Sequence, residues 1–503
     1  SRPAVVNYNR SGQPTDRDVV VYYGSNDGIV HAVKGGQDNT DGNEKWGFVP
    51  TEFYNRFARM YSENPIVSSA NPRTYFADGS LSIDAVYIND RIEGAGANAQ
   101  LYVGMRRGGR FYYSLDVTDP DDPLYKWKID NSTAGFAELG QSWSEMKVVK
   151  LNVKYPVSAS AASRKVVIFG GGYDSPANDP ATQGTATMGR AIYVVDALTG
   201  ALIWYTAPAA DATAPSAATF LATASMSFAA AADLAVIDSD GNGFADRIYA
   251  VDTGGNIWRV NIGDANPANW TVGKVASLSG AAAADKRRFL FAPDIVPFNA
   301  STDSILVGSG DREQPFDTTI NNRFYMVKDS HAIDAQPSSA ATESDLCDLT
   351  ANNLQGADAT LAEADRTCIA NAAKKGWLIK LGTGEKVVTS SSTLGGTTTF
   401  ATNTPVSQVS GQCVGSLGKA LLYAVNYKDA TSTIDFNSNG VLGQSERSTE
   451  KPGGGFPPSP VPVSIKIDDK YYEAVITGTQ VINPPTSSIG HRYRVFWNMA
   501  VDN

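Results

Sequence analysis

One hydrophobic–polar pattern returns along most of this chain. It is a β-branched apolar run, a glycine-rich turn, then an aromatic–apolar strand ending at Asp or its equivalent. It appears at residues 19–33 (VVVYYGSNDGIVHAV) and at 101–117 (LYVGMRRGGRFYYSLDV), the latter followed by Trp127. Residues 165–172 (KVVIFGGG) start a third copy, resumed after an insert by 190–204 (RAIYVVDALTGALIW). A fourth, 234–260, ends in IYAVDTGGNIWRV, and a fifth joins 305–311 (ILVGSGD) to 323–327 (RFYMV). Residues 376–381 and 421–426 are weaker copies. Strands that are apolar on both sides need a neighbour on both sides, as a propeller blade has. The turns at 196–200 and 252–255 put Gly where a positive φ is required, and Trp204 and Trp258 after them are placed to wedge between blades. The pattern predicts an all-β fold, a modified β-propeller of six to eight blades with seven as the central value, in one domain over 1–503. A β-sandwich array is the rival, but it does not explain a recurring Asp…Gly…Trp unit.

Four segments break the pattern. Residues 50–60 (PTEFYNRFARM) have helical spacing, with Thr51 placed to cap and Glu52 in the first turn. The Ala-rich stretch 207–232, interrupted by Pro208 and Pro215, reads as part loop and part strand. Residues 329–373 are polar and Ala-rich and read as a partly helical insertion. The tract 451–462 (KPGGGFPPSPVP) reads as a Gly/Pro loop without regular structure. Two final strands, 463–466 and 471–477, are placed to close the ring on the first blade.

Inside the fourth copy, residues 238–246 (DSDGNGFAD) carry the most chemistry. Oxygen side chains stand at loop positions 1, 3, 5 and 9 (Asp238, Asp240, Asn242, Asp246), with Gly243 at position 6 and the carbonyl of Phe244 at position 7. That is the opening of an EF-hand calcium loop. Ca²⁺ takes six to eight oxygens, and alternate residues of a tight loop can point inward to supply them. Position 12 is Tyr249 rather than Glu, so Asp246 must close the site. The flanks 234–237 and 247–251 are short and β-prone, so the expectation is a β-hairpin joined by a nine-residue calcium loop. An acidic turn that stays solvated without metal is the alternative.

Bulk properties narrow the function. Net charge is −10 with pI near 5.0, which argues against a nucleic-acid footprint. No apolar run is long enough for a transmembrane helix, and no signal-like segment is visible, so the chain reads as a fragment or the mature part of a longer exported precursor. Cys347 and Cys368 bracket a polar insert, and a disulfide there suits an exported protein, although Cys413 offers other pairings. There is no Cys-x-x-Cys and no Cys/His cluster, which argues against zinc. His31, His331 and His491 lie far apart and read as structural or surface residues.

The Asp-x-x-Thr-Gly…Trp unit resembles the repeats of pyrroloquinoline-quinone dehydrogenase propellers. More specifically, residues 22–33 (YYGSNDGIVHAV), 102–120 (YVGMRRGGRFYYSLDVTDP) and 238–260 (DSDGNGFADRIYAVDTGGNIWRV) resemble the C-terminal domain of PilY-type proteins. These are exported, tip-associated biogenesis factors and adhesins of type IV pili. The resemblance implies a modified propeller with one calcium site, whose ligands fall on Asp238, Asp240, Asn242, the carbonyl of Phe244 and Asp246. It implies a non-enzymatic protein in which Ca²⁺ is linked to pilus extension against retraction, hence to twitching and surface adhesion. The implied partners are pilus subunits or assembly proteins and a host or abiotic surface. The implied location is the pilus tip, cell surface or outer membrane after transit through the periplasm. The Arg-Gly-Asp tripeptide tied to adhesion in some members is absent here.

Other readings carry less weight. A quinoprotein enzyme of the resembling type stacks its cofactor against an adjacent Cys-Cys pair, which this chain lacks. A lectin-like adhesin without an assembly role would use exposed Tyr and Trp. Residues 435–446 (DFNSNGVLGQSE) fit the full twelve-position EF-hand pattern to Glu446, yet carry one carboxylate among the first three ligands, and read as a solvated turn. Asp116, Asp119, Asp121 and Asp122 read as a solvated acidic turn rather than a hydrolytic pair. Arg106, Arg107 and Arg110 form either a basic knob for an anion or a turn whose arginines pair with nearby acids.

Overall fold

The computed structural model describes residues 1–482 apart from 14–17, 37–40, 69, 331–338, 407–416, 452, 468–469 and 479. The described strands form seven sheets in chain order. The first holds Ala4–Asn7, Val19–Gly24, Val30–Lys34 and Glu44–Phe48. The second holds Leu81–Val86, Asn98–Gly104, Phe111–Asp116 and Leu124–Asp130. The third runs Lys147–Val153, Ala162–Gly170, Ile192–Asp196 and Leu202–Ala207, with Thr219–Ala222 added parallel at the outer edge. The fourth is Ala235–Ile237, Arg247–Val251, Asn256–Asn261 and Thr271–Ser277. The fifth is Asp294–Asn299, Thr302–Gly308, Arg323–Ser330 and Gly376–Lys380, with Cys347–Asp348 parallel outside it. In the sixth, Lys386–Val387 and Ser392–Leu394 flank Thr397–Thr404, followed by Lys419–Asn426 and Ser448–Glu450. The seventh is Val461–Ile467, Lys470–Thr477 and Gln480–Ile482.

Hydrophobic burial joins these sheets in a series. One core cluster joins the first and second sheets (Val20 and Tyr22 with Leu101 and Val103), and another joins the second and third (Tyr112 and Trp127 with Phe169 and Tyr193). The series continues from third to fourth, fourth to fifth, fifth to sixth and sixth to seventh. The first strands of the sheets face a shared central cavity of about 970 Å³, whose wall includes Pro3, Ser80, Lys147, Val236, Ile295, Ser392 and Pro462. The chain is therefore a β-propeller with irregular insertions. The final strands pair with each other, and among the described residues none pairs with the first sheet. The Gly/Pro tract also ends earlier than the sequence suggests. Pro462 already pairs with Val475 in a strand, which a proline tolerates because that strand is an inner edge with a free side.

The tryptophan pattern has a geometric basis. Trp46, Trp127 and Trp204 each sit on the fourth strand of their sheet, immediately after a one-residue register shift. In the first two sheets the indole N–H reaches the next sheet: Trp46 donates to the Pro120 carbonyl at 3.0 Å and Trp127 to the Ala197 carbonyl at 3.1 Å. Trp377 of the fifth sheet does the same to the Tyr427 carbonyl of the sixth at 3.1 Å. Trp204 instead meets Trp270, which immediately precedes the last strand of the fourth sheet, ring centroids 5.4 Å apart. Each acceptor carbonyl belongs to a turn, and the turn at Asp196 is fixed by that carboxylate accepting from the backbone of Leu198 and Thr199. Gly200 completes it because a Cβ there would lie 2.9 Å from the Trp127 ring.

The segments that break the pattern lie between or outside the sheets. Thr51–Phe53 forms a 3₁₀ turn leading into the helix Tyr54–Ser62. Thr51 does not cap it: the chain enters through the 3₁₀ turn, so Thr51 is already inside the first turn and makes no cap bond. Beyond 331–338, the excursion between Ser330 and Gly376 carries the helix Ala359–Ala370 and is stapled by a Cys347–Cys368 disulfide. Cys413 lies outside the described residues, as do His331 and His491.

Replacing Trp127 by Phe keeps the ring and removes the donor. It should cost about 1 kcal/mol in urea unfolding, because Tyr102 also donates to the Ala197 carbonyl. Trp127→Ala should cost about 3–5 kcal/mol, since it also empties a buried ring site.

Candidate metal centre

Residues 238–246 connect two antiparallel strands in register, with Ala235 opposite Tyr249 and Ile237 opposite Arg247. The hairpin base closes where the Asp246 N–H donates to the Ile237 carbonyl at 2.9 Å. Within the loop the carboxylates organise the backbone. Asp238 accepts from the N–H groups of Gly241 at 2.7 Å, Asn242 at 3.2 Å and Gly243 at 2.7 Å. Asp240 accepts from the Asn242 N–H at 3.0 Å, and the Asn242 side-chain oxygen from the Phe244 N–H at 2.8 Å. These successive Asx turns coil the chain so that alternate side chains face one point. Gly243, at φ +88°, supplies the left-handed residue that the coil needs.

The result is a convergence of oxygens. Ligand atoms of Asp238, Asp240 and Asp246 all lie within 4.8 Å of one another. Asp246 is positioned by Ser239, whose N–H and hydroxyl donate to one of its carboxylate oxygens at 2.7 and 2.9 Å. Burial pushes the Asp246 carboxyl above its ordinary value, and the neighbouring Asp240 and Asp238 charges add to this. An all-oxygen set with three carboxylates, one amide and a carbonyl suits a hard cation such as Ca²⁺ and not a soft one. Asn242 and Phe244 stand at the ligand spacing on the same coil. Tyr249, at position 12, takes no part in it, because its hydroxyl is held by Asp303 at 3.1 Å and Asp329 at 2.8 Å.

That tyrosine belongs to a buried polar network between the fourth and fifth sheets. Arg247, the residue after Asp246, donates to Asp303 at 3.0 Å, and Arg259 donates to both oxygens of Asp329 at 2.9 and 2.8 Å. The side chains of all four are nearly inaccessible to water. The exit of the loop is thus tied by charge to the next sheet. Asp238, Ser239 and Asp303 also reach the wall of the central cavity. The sequence reading missed Ser239 and this network. Its one local trace is an arginine in each of two otherwise apolar strands, RIYAV and NIWRVN.

Residues 5–307 match the family model described as the PilY1 beta-propeller domain. This chain belongs to that family. The three runs that carried the resemblance all lie inside the matched span. A type IV pilus biogenesis factor PilY1 homolog of Xylella fastidiosa is 27% identical over 259 residues, which is 50% of this chain and 14% of that protein. The type IV pilus biogenesis factor PilY1 of Pseudomonas aeruginosa strain UCBPP-PA14 is 28% identical over 243 residues, 48% of this chain and 17% of that protein. The match thus spans under a fifth of either relative's length. The crystal structure of the Pseudomonas aeruginosa PilY1 C-terminal domain superposes with a TM-score of 0.61 at 18% identity. It covers 93% of this chain and 92% of that domain, which bears out the PilY-type C-terminal domain fold.

Several other residues singled out in this PilY1-family chain have structural partners. Arg106 and Arg107 pair with Glu313 at 3.2 and 2.8 Å, and Arg107 with Asp179 at 2.9 Å. Both guanidinium groups also lie over the Trp143 ring. The pairing acids are distant in sequence and not neighbours in the turn. The acidic turn is not merely solvated either. Asp121 binds Arg10 at 3.2 Å and also Lys45, clasping the second sheet to the first. His31 stacks on Tyr23 and sits between Asp27 at 2.9 Å and Glu44 at 2.6 Å.

Replacing Asp303 by Ala should cost about 3–5 kcal/mol in chemical unfolding, because Arg247 would remain buried without this partner.

Proposed function

We propose that this chain is the calcium-binding, non-enzymatic propeller of a type IV pilus biogenesis factor, acting on the balance of pilus extension and retraction and on surface adhesion. Membership of the PilY1 family and the printed names of its relatives support the pilus role. The observation that carries the calcium reading is the convergence of Asp238, Asp240 and Asp246 on one loop.

Ca²⁺, when bound, supplies the positive charge that three converging carboxylates require. The chain does the rest. Asp238 and Asp240 hold the coil through backbone N–H groups, Ser239 aims Asp246, and Asp246 closes the site in place of a position-12 glutamate. A loop whose carboxylates repel one another loosens, and one whose charges are balanced becomes rigid. Arg247 carries that difference to Asp303 and the fifth sheet. A ligand of the folded state alone adds about 2.7 kcal/mol at a hundredfold excess over Kd. A pilus subunit or assembly protein that prefers one loop state would read the signal at the cell surface.

Asp246→Ala should abolish tight Ca²⁺ binding at this loop, read in calorimetry as one ion fewer per chain; an unchanged ion count and affinity would falsify the ligand assignment. Chelation should leave the far-ultraviolet circular dichroism nearly unchanged, because Ala245 alone of the loop enters the clusters on either side of the fourth sheet. In cells, the same variant should lose surface pili while the retraction motor is present and regain them when it is deleted. Equal piliation of variant and parent in both backgrounds would count against a role in retraction.

A further inference from the structure

The segment 435–446 joins the sixth-sheet strands Lys419–Asn426 and Ser448–Glu450, and four backbone-to-side-chain hydrogen bonds of the first loop recur in it. Asp435 accepts from the N–H groups of Asn439 at 3.2 Å and Gly440 at 2.7 Å. Asp238 accepts from Asn242 and Gly243 at the same two distances. Asn437 accepts from the Asn439 N–H at 3.0 Å and Asn439 from the Val441 N–H at 2.8 Å, matching the bonds made by Asp240 and Asn242. Positions 4 and 6 are left-handed in both loops: Ser438 and Gly440 at φ +58° and +83°, Gly241 and Gly243 at +75° and +88°. A serine accepts that conformation at a cost, so the coil is imposed rather than incidental.

A second, independent feature lies at position 12. Glu446 is only 4% exposed, where a solvated turn would leave it in water. One of its carboxylate oxygens accepts from the Gly443 N–H at 2.5 Å, and the other is buried with no hydrogen-bond partner among the described residues. Because Gly443 is position 9, that bond holds the Glu446 carboxylate against the loop, on the side of Asp435. Arg447 does not neutralise it. Its Nε donates to the Ala430 carbonyl at 2.6 Å and its Nη1 to those of Leu349 at 2.6 Å and Thr350 at 3.0 Å. A buried carboxylate oxygen without a donor lacks the compensation that burial demands.

We propose that Asp435, Asn437, Asn439, the Val441 carbonyl and Glu446 form a second calcium site, independent of the first loop. Two carboxylates balance the charge of one divalent cation, and Glu446 occupies the position-12 place that Tyr249 leaves vacant in the first loop. The site has a structural reach of its own. Gln444 donates to the Ala351 carbonyl at 2.5 Å, Asn352 donates to the Gln444 carbonyl at 3.0 Å, and Gln355 bonds both the N–H and the carbonyl of Ser432. The loop thus clamps the disulfide-stapled excursion of the fifth sheet onto the sixth, and ion binding would set the strength of that clamp.

The test is calorimetric titration of the whole chain, stripped with a chelator, with Ca²⁺ alone. Five forms are compared: parent, Asp246→Ala, Asp435→Asn, the Asp246→Ala/Asp435→Asn double variant and Glu446→Gln. Asp435 lies on a surface loop, and a thermal melt of the chelated Asp435→Asn protein matching the parent verifies its fold. Asp435→Asn should bind one ion fewer per chain than the parent, and the double variant one fewer than Asp246→Ala. Glu446→Gln should remove the same event. Asp435→Asn reads the second loop whatever Asp246→Ala does: one ion lost supports the proposal, and a count equal to the parent overturns it.

Discussion

A twisted sheet that is apolar on both faces cannot stand in water alone, and this constraint governs the molecule. Each of the second to sixth sheets covers one face with the sheet before it and the other with the sheet after it, and the buried clusters follow that order from the first sheet to the seventh. The indole-to-carbonyl bonds of Trp46, Trp127 and Trp377 add direction to an otherwise non-directional contact. A ring that must lie flat in the interface and also reach one carbonyl on the next turn fixes the spacing and the tilt between neighbours.

The interface between the fourth and fifth sheets differs in kind. It buries two arginine–aspartate pairs together with the Tyr249 hydroxyl. Such pairs are costly to desolvate and add little net stability over apolar packing, but each partner is expensive to lose. Their value lies in register. Arg247 follows the last residue of the first loop, Asp246, without a gap, so any change in how the hairpin closes is felt at Asp303. The first loop is therefore wired to an interface through one peptide unit, and the second is wired to the stapled excursion through the backbone of Leu349–Gln355.

The fold was legible in the sequence because its signals are local. Alternating apolar runs, glycine turns and the Asp…Trp spacing each occupy a few residues, and they repeat. The first loop was legible for the same reason: all its oxygens come from one stretch. What escaped is non-local. Nothing near Arg106 points to Glu313, and nothing near Asp121 points to Arg10. The second loop shows both cases. Its ligand spacing could be read directly, but the bonds that Gln444 and Arg447 make to a segment some ninety residues earlier could not. Thr51 shows the opposite error, a correct helix with the wrong cap, because a 3₁₀ entry turn leaves no trace in composition.

The parallel fifth strands of the third and fifth sheets have a consequence for how the molecule meets its neighbours. The outermost strand of a blade is a row of unpaired backbone groups, and at high local concentration such a row templates strand addition from another copy. Thr219–Ala222 and Cys347–Asp348 cover two of these rows. Others carry charge along the rim: Glu44 and Lys45 on the first sheet, and Lys126, Lys128 and Asp130 on the second. A surface so guarded against edge-to-edge growth leaves its loops, and not its strands, as the natural places for recognition.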